Sequence, residues 1–485
     1  MTVARSHIRA QSVWVVFLDI ACLLASCYLA VMLRFDSDEM MPYVFSHIDG
    51  WIIFFGSIVL ANYLAGSYRI QYTMSRFNLI VTWLFSISFA MFILSVTSYA
   101  WFRMLLGRGV LFLAILFYSL LSIYFRIVAY RRLFGSKLLM QRVVIVGCDS
   151  AAEAFKRMIQ NPYTLPPHTV TAFIDLNASE PTAAPHEHPR LIEGIPVIPA
   201  DANDLREIAG SLGADLIVLS RPHDAFPPAI FTALRRIRFS GIEVLPALTA
   251  AEIYSGRTPL DLIAERDIME TGFEVGSPIL WRSKRITDIM TALTGILVCS
   301  PLALAITVII KLAEPGAPVF YNQERVGRFG RRFRMHKFRT MRVDAEAGSG
   351  AVWSAPDDPR ITRVGRVLRR FRMDEIPQFW NILRGEMSLV GPRPERPELV
   401  EALTRHIPYY DERENVLPGI TGWAQIQYPY GNTIEDARRK LEYDLFYIRN
   451  LSTSLDLQIL LRTLRTVLFG KEKRAAPWGT DTRTA

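Results

Sequence analysis

At 485 residues the chain is too long for one ordinary domain, and roughly three units are expected. Its apolar share of 51% and mean hydropathy of +0.20 are high for a wholly soluble enzyme and point to an integral membrane portion. The net charge of +9 suits an anionic membrane surface or anionic substrates as well as nucleic acid, so charge alone selects no partner.

The four cysteines (Cys22, Cys27, Cys148 and Cys299) show neither C-x-x-C nor metal spacing. They read as packing residues rather than a disulfide framework. Arg5 and Arg9 precede the first apolar stretch without a small-residue cleavage site, so no removed signal peptide is expected.

Four apolar stretches follow, at about 13–33, 51–68, 79–101 and 110–129. Each approaches the roughly 20 residues that a spanning helix needs. Trp14, Trp51, Trp83 and Trp101 lie near their ends, as interfacial aromatics do. Asp19 and Arg126 are charges inside the first and fourth stretches and could pair. The loop 35–50 holds Asp36, Asp38, Glu39 and Asp49 without Lys or Arg, whereas Arg69, Arg76, Arg131, Arg132, Lys137 and Arg142 flank the opposite ends. The positive-inside rule therefore puts both ends of a four-helix bundle, residues 1–141, in the cytoplasm. Arg103 and Arg108 in the short third loop run against it.

From Arg142 the pattern becomes α/β. A buried strand at 143–147 enters a turn, 151–159 reads as helix, and short apolar strands follow at 170–176, 216–219 and 242–245. A small doubly wound domain is expected over 142–271. Its glycine fingerprint is damaged, because Asp149 stands where a middle glycine would let backbone approach a pyrophosphate. A scaffold or regulatory role is preferred to cofactor binding, with self-association into a homodimer the expected work of the domain. His186-Glu187-His188 lies in a Pro- and Ala-rich loop and is assigned nothing.

The third unit, 281–471, opens on the uncharged stretch 289–310, long enough to span. A full crossing would send the following block outside the cell, although 325–342 holds eight Lys or Arg and no acid. Ser300-Pro301 falls at its centre, where proline removes a backbone bond and Ser300 can bond the freed carbonyl. The expectation is a re-entrant helix that breaks there and returns to the same face, with a kinked fifth span as the alternative. Residues 362–373 form a basic amphipathic helix, with Val364, Val367, Leu368 and Phe371 against Arg363, Arg366, Arg369, Arg370 and Arg372. It suits the headgroup plane, and the neighbouring apolar hairpin disfavours nucleic acid.

Asp374-Glu375 come next, at or just before the first turn of a short helix whose start tolerates Pro377. Ile376, Phe379, Trp380 and Leu383 share an apolar stripe; Asp374, Gln378 and Asn381 share another face. Helix dipole and unpaired N–H groups at such a start also welcome phosphate. Arg393, held between Pro392 and Pro394, suits a guanidinium that meets a phosphate or base edge in a fixed pose, and Lys337 and Arg339 are further anion-binding candidates. Asp456 lies in an amphipathic C-terminal stretch, where a structural salt bridge competes with a substrate role.

Ser300-Pro301, Glu324-Arg325-Val326-Gly327, Lys337-Phe338-Arg339-Thr340-Met341, Asp374-Glu375-x-Pro377-Gln378, Ser388-Leu389-Val390-Gly391-Pro392-Arg393-Pro394 and Pro418-Gly419-Ile420-Thr421-Gly422 occur in this order. Together they resemble the bacterial sugar transferase family, the monotopic polyprenyl-phosphate hexose-1-phosphate transferases. The four stretches and α/β domain more loosely resemble its long, exopolysaccharide-initiating members.

The resemblance implies a bacterial inner-membrane enzyme facing the cytoplasm. It would move hexose-1-phosphate from a UDP-hexose, with glucose as the expected sugar, to undecaprenyl phosphate with Mg²⁺. It maps the nucleophile to Asp374, metal binding or proton transfer to Glu375 beside it, and the nucleotide loop to Arg393. Arg325 and Arg369 join the substrate candidates. Rival readings are a membrane-anchored nucleotide sensor and a non-catalytic export scaffold. The expected architecture is a membrane α-helical bundle, a small α/β doubly wound domain, a mostly α membrane-associated catalytic domain with a re-entrant helix, and a flexible tail at 472–485.

Overall fold

The structure, a computed structural model, describes residues 4–64, 76–100, 106–134, 141–160, 168–176, 191–221, 226, 228–270, 278–343, 345, 358–428, 431 and 433–469. His186-Glu187-His188, Trp101 and the tail lie outside them, as does the side chain of Arg126. The chain divides into two compact units, Met1–Ser255 and Gly256–Ala485. Residues 256–270, read from the sequence with the α/β domain, fall in the second unit.

In the first unit, helices α1 (Ala4–Met32), α3 (Ile48–Leu64), α4 (Arg76–Ala100) and α5 (Arg108–Phe134) coincide with the four apolar stretches. Among described residues, Arg108–Phe125 is long and apolar enough to cross a membrane; Val16–Met32 and Ser86–Thr97 are shorter apolar segments. The acidic loop is partly helical, as α2 (Ser37–Ser46), which meets the next helix at 73°. Asp38 and Glu39 in its first turn complement the helix dipole. Leu23, Phe54, Ile58, Ala114 and Tyr118 form the bundle core. Buried Asp19 accepts from Asn62 Nδ2 at 2.7 Å, Tyr118 OH at 3.0 Å and Ser122 Oγ at 3.4 Å.

The α/β part carries a six-stranded sheet of order β3-β4-β2-β1-β5-β6. Its strands are β1 (Gln141–Val146), β2 (His168–Asp175), β3 (Leu191–Ile192), β4 (Ile195–Pro199), β5 (Leu216–Leu219) and β6 (Glu243–Pro246). All pairings are parallel except β3–β4, a hairpin absent from the sequence reading. Its turn is Glu193-Gly194, both at positive φ, which matches the twist of a tight hairpin. At the end of β1, Gly147 has φ +113°, and a Cβ there would collide with Ser220 Oγ. Asp149 caps α6 (Ser150–Ile159) through Ala152 N at 2.9 Å. It also takes Ser220 Oγ at 3.1 Å and Arg221 Nε at 2.6 Å, so the fingerprint turn is filled by its own side chains.

The second unit is mostly helical. Helices α7 (Leu205–Ser211), α8 (Pro228–Phe239) and α9 (Ala247–Ser255) finish the first unit, and α10 (Glu265–Glu270) precedes α11 (Pro278–Ala313) in the second. An antiparallel hairpin follows, β7 (Phe320–Val326) and β8 (Arg332–Phe338). Next come α12 (Arg363–Arg370), a 3₁₀ turn at Met373–Glu375, α13 (Gln378–Arg384) and β9 (Ser388–Val390). The unit closes with α14 (Pro397–His406), β10 (Gly419–Thr421) parallel to β9, α15 (Trp423–Gln427), α16 (Ile434–Arg449) and α17 (Thr453–Phe469).

Ser300-Pro301, where a re-entrant break is expected, falls inside one helical element, with Pro301 within it. Proline leaves the Leu297 carbonyl without its backbone donor, and Ser300 Oγ supplies one at 2.8 Å. Both halves of α11 pack on the same unit. Ala292 joins Phe333, Met335 and Ile382; Ile306 and Ile310 join Val319, Phe338 and Leu368. A Cβ on Gly295 would lie 2.8 Å from the Phe379 ring, so with glycine there the ring packs directly against α11.

Candidate active site

The 3₁₀ turn forms because α12 stops abruptly. Thr362 caps its start, accepting from Gly365 N at 2.9 Å, and Arg372 ends it in the left-handed region at φ 53°. The chain then re-enters helical geometry through Ile376 and Pro377 into α13. Asp374 and Glu375 thus sit at a helix start, as expected, and both are buried (7% and 8% exposed). Val364 and Leu368 anchor α12 to Ile306 and Ile310, while Val367 and Phe371 stay exposed.

Glu375 is ringed by cations: Arg372 at 3.2 Å, Arg393 at 3.4 Å and Lys337 at 3.6 Å. Burial alone would raise its carboxyl, but Lys337, Arg393 and Arg372 outweigh burial and hold it at about 2. Asp374 moves the other way. Burial lifts it above the ordinary carboxylate value, Lys337 opposes that, and the charge on Glu375 adds to it. Among the described residues no hydrogen bond or ion pair engages the Asp374 carboxylate. One carboxylate is therefore spent on ordering cations, and the other keeps its oxygens available for chemistry. Lys337 is pulled down to about 8, mainly by burial.

The Gly391–Arg393 turn is clamped along its length. Val390 O accepts from Lys284 Nζ at 3.0 Å and Tyr447 OH at 3.1 Å; Pro392 O accepts from Gly419 N at 2.8 Å. Arg393 O accepts from Arg413 Nη2 at 2.9 Å, Pro394 O from Arg325 Nη1 at 2.9 Å, and Glu395 O from Val326 N at 3.0 Å. Two of these donors, Lys284 and Arg413, are buried cations and a third, Arg325, is nearly so, and hydrogen bonds to charged groups are the stronger kind. The loop that presents Arg393 to Glu375 is thereby stiff. Pro392, Pro394 and Arg393 also line a cavity with Val326, Gly327 and Glu395.

The remaining candidates sort by partner. Arg369 Nε donates to Thr340 Oγ1 at 2.9 Å, and its charge reaches Asp374, which keeps it in the site. Arg325 works as a clamp: it bonds the Pro394 carbonyl and pairs with Glu395 at 3.6 Å. Arg339 donates to Pro318 O at 2.9 Å and lies over Tyr321, engaging neither carboxylate. Asp456 pairs with Lys284 at 2.7 Å and takes Tyr447 OH at 2.8 Å, so the structural alternative describes it.

Sequence reasoning missed Lys284, Asp288, Asn381 and Arg413. Asp288 receives Ser388 Oγ at 3.1 Å and Leu389 N at 2.9 Å, fixing β9 beneath the loop. Lys284 and Asp288 sit four apart at the mouth of an apolar helix, a signal open to reading. Asn381, fully buried, donates to Arg334 O at 2.8 Å and accepts His336 N at 3.1 Å, locking α13 to β8. Gln378, also buried, has no partner for Nε2 among the described residues, and it lies one turn beyond Asp374. A buried donor left over at a site is suited to a substrate oxygen.

The family model for bacterial sugar transferases matches residues 279–470. Over 261 residues the chain is 41% identical to an Aeromonas hydrophila protein named UDP-N-acetylgalactosamine-undecaprenyl-phosphate N-acetylgalactosaminephosphotransferase, covering 54% of this chain and 60% of the relative. It is 43% identical over 191 residues to a Xanthomonas campestris UDP-glucose:undecaprenyl-phosphate glucose-1-phosphate transferase, covering 39% of each. A putative undecaprenyl-phosphate N-acetylgalactosaminyl 1-phosphate transferase of Bacillus subtilis is 47% identical over 130 residues, 27% of this chain and 72% of that protein.

Proposed function

The chain belongs to the bacterial sugar transferase family, and on that premise we propose that it transfers hexose-1-phosphate from a UDP-hexose to undecaprenyl phosphate. The observation that carries the reading is the split carboxylate pair: Glu375 ionised among Lys337, Arg372 and Arg393, and Asp374 buried beside it with its oxygens unspent.

In the proposed reaction an Asp374 oxygen attacks the sugar-bearing phosphorus. The bond from that phosphorus to the bridging oxygen breaks, and UMP leaves. An oxygen of undecaprenyl phosphate then attacks the same phosphorus, releasing Asp374 and forming the lipid diphosphosugar. Covalent catalysis divides one hard phosphoryl transfer into two easier steps. Arg393 and Lys337 would bind the diphosphate, with Glu375 holding both in place. Arg369 would offset charge beside the nucleophile.

Mg²⁺ is the proposed cofactor, to be held at Asp374 and Glu375. Among the described residues no cluster of three or more His, Cys, Asp or Glu offers a metal cage. Two carboxylates, one already paired with cations, fit an ion that arrives on the diphosphate. When bound, the ion would neutralise the diphosphate and stabilise charge passing to UMP.

The sugar reading is divided between glucose, expected from the sequence, and N-acetylgalactosamine, named for the relative aligned over 261 residues. UMP release measured across UDP-glucose, UDP-galactose and UDP-N-acetylgalactosamine decides between them. Incubation with labelled donor and Mg²⁺, without lipid acceptor, should leave phosphosugar on the protein. Asp374→Asn should abolish that label, and Glu375→Gln should slow turnover by about 10²-fold or more. Label retained by the Asn variant would remove Asp374 as the nucleophile.

We place the enzyme in the bacterial inner membrane, anchored by four spans, with α11 returning to the cytoplasmic face and the α/β domain serving self-association. Exposed Leu297, Val298, Leu304, Val367, Phe371 and Trp380 support a lipid contact for the second unit.

A further inference from the structure

We propose that residues 256–263, which precede the span matched by the family, form a strap that positions the Arg393 loop from behind. The strap is buried in the second unit at consecutive residues. Trp423 Nε1 donates to Gly256 O at 2.7 Å. Arg257 pairs with Glu442 at 2.6 Å, with 5% and 1% of the two side chains exposed. Thr258 N donates to Glu442 O at 2.9 Å, and Leu260 enters the core beside Leu441 and Leu445.

Glu442 belongs to α16, whose other contacts run to the active site. Asp444 takes Arg413 Nη2 at 2.9 Å, and the same Nη2 donates to Arg393 O. The single Tyr447 hydroxyl proton is shared between Val390 O and Asp456 Oδ1. At about 100° per residue, Asp444 and Tyr447 share one face of the helix and Glu442 lies nearly opposite Asp444. The strap therefore backs the helix, and the helix holds both ends of the turn that presents Arg393 to Glu375. A buried ion pair is weak evidence for stability and better suited to fixing one arrangement, which is the role assigned here. Arg257 and Glu442 are positioning residues; neither touches the reacting groups.

This proposal rests on the reading of 390–394 as the donor loop, and its test has a readout independent of activity. Full-length protein in lipid nanodiscs is compared as wild type, Arg257→Lys, Arg257→Leu and Arg257→Leu/Glu442→Leu. Hydrogen exchange is followed in peptides covering 388–396, and steady-state kinetics are measured with UDP-glucose and UDP-N-acetylgalactosamine. In Arg257→Leu, exchange in 388–396 should quicken by about tenfold and donor KM should rise more than kcat falls. Strand β1 should keep its protection, and Arg257→Lys should recover most of the loss. In Arg257→Leu the buried Glu442 keeps only the longer pairing with half-exposed Arg439 at 3.4 Å; the double variant removes that under-compensated buried charge, so it should regain thermal stability while its loop still exchanges faster than wild type. Loop exchange within twofold of wild type in both Leu variants would overturn the strap. Faster loop exchange with unchanged donor kinetics would sustain the strap and instead count against 390–394 as the donor loop.

Discussion

Adjacent carboxylates acquire opposite characters here because their neighbours differ. Glu375 faces three cations and stays ionised down to about pH 2, whereas Asp374 is governed by burial and is raised. Lys337, which orders the site through Glu375, is depressed to about 8 by burial. The signs set a pH window for the first chemical step. Activity should rise as Asp374 loses its proton above the usual carboxylate range, and fall as Lys337 loses its charge near pH 8. Lys337→Arg keeps the charge to high pH, so the alkaline limb of kcat/KM should move upward by at least one pH unit. Single-turnover labelling across pH 5–10 checks this. An unmoved alkaline limb in that variant would assign it to another group.

At the scale of elements, close approaches decide what the site can tolerate. Gly295 lets the Phe379 ring lie against α11, and Phe379 stands one turn from Glu375. Gly295→Val should overpack that contact and cost about 1–3 kcal/mol. Thermal unfolding in nanodiscs should fall accordingly, and labelling at Asp374 should slow as α13 shifts. Unchanged unfolding would mean that the ring simply turns aside. Much at this scale was legible because it is local. The cap at Thr362, the carboxylates before Pro377, and the strands at 143–147 and 216–219 all follow from short-range pattern. The β3–β4 hairpin escaped because its strands are very short, although Glu193-Gly194 is a recognisable turn. Asn381 and Arg413 escaped for a different reason. Their roles depend on partners at Arg334, Arg393 and Asp444, which no local period brings together. Arg325 was legible as a motif residue, but its bond to the Pro394 carbonyl was not, because a motif records residues and not their partners.

For the whole molecule, the decisive element is α11. Its contacts with the second unit begin at Lys284 and Asp288, continue through Ala292 and Gly295, and resume at Ala303, Ile306 and Ile310. The stretch lacking such contacts, 296–302, is only seven residues, about 10 Å of helix. A crossing helix would need about 30 Å of hydrocarbon contact between its ends, with the unit on one side only. Leu280–Ala313 is long and apolar enough to cross a membrane, but packing at both ends against one unit is the ground for the proposed alternative, a helix that bends at Pro301, dips into the bilayer and returns. Leu297 and Val298, 75% and 69% exposed, would lie in that dipping part. Single cysteine reporters at Thr287 and Asn322, both exposed, should be labelled only after permeabilisation of intact cells in a background without other cysteines. Ser300→Ala with Pro301→Ala restores the backbone donor for Leu297 and should straighten the helix toward spanning. Activity should then fall by about tenfold or more although no catalytic group changes, because the second unit is pulled from the cytoplasmic seat proposed for it. Labelling of Asn322 from the periplasm in the otherwise unaltered chain would make α11 a fifth span.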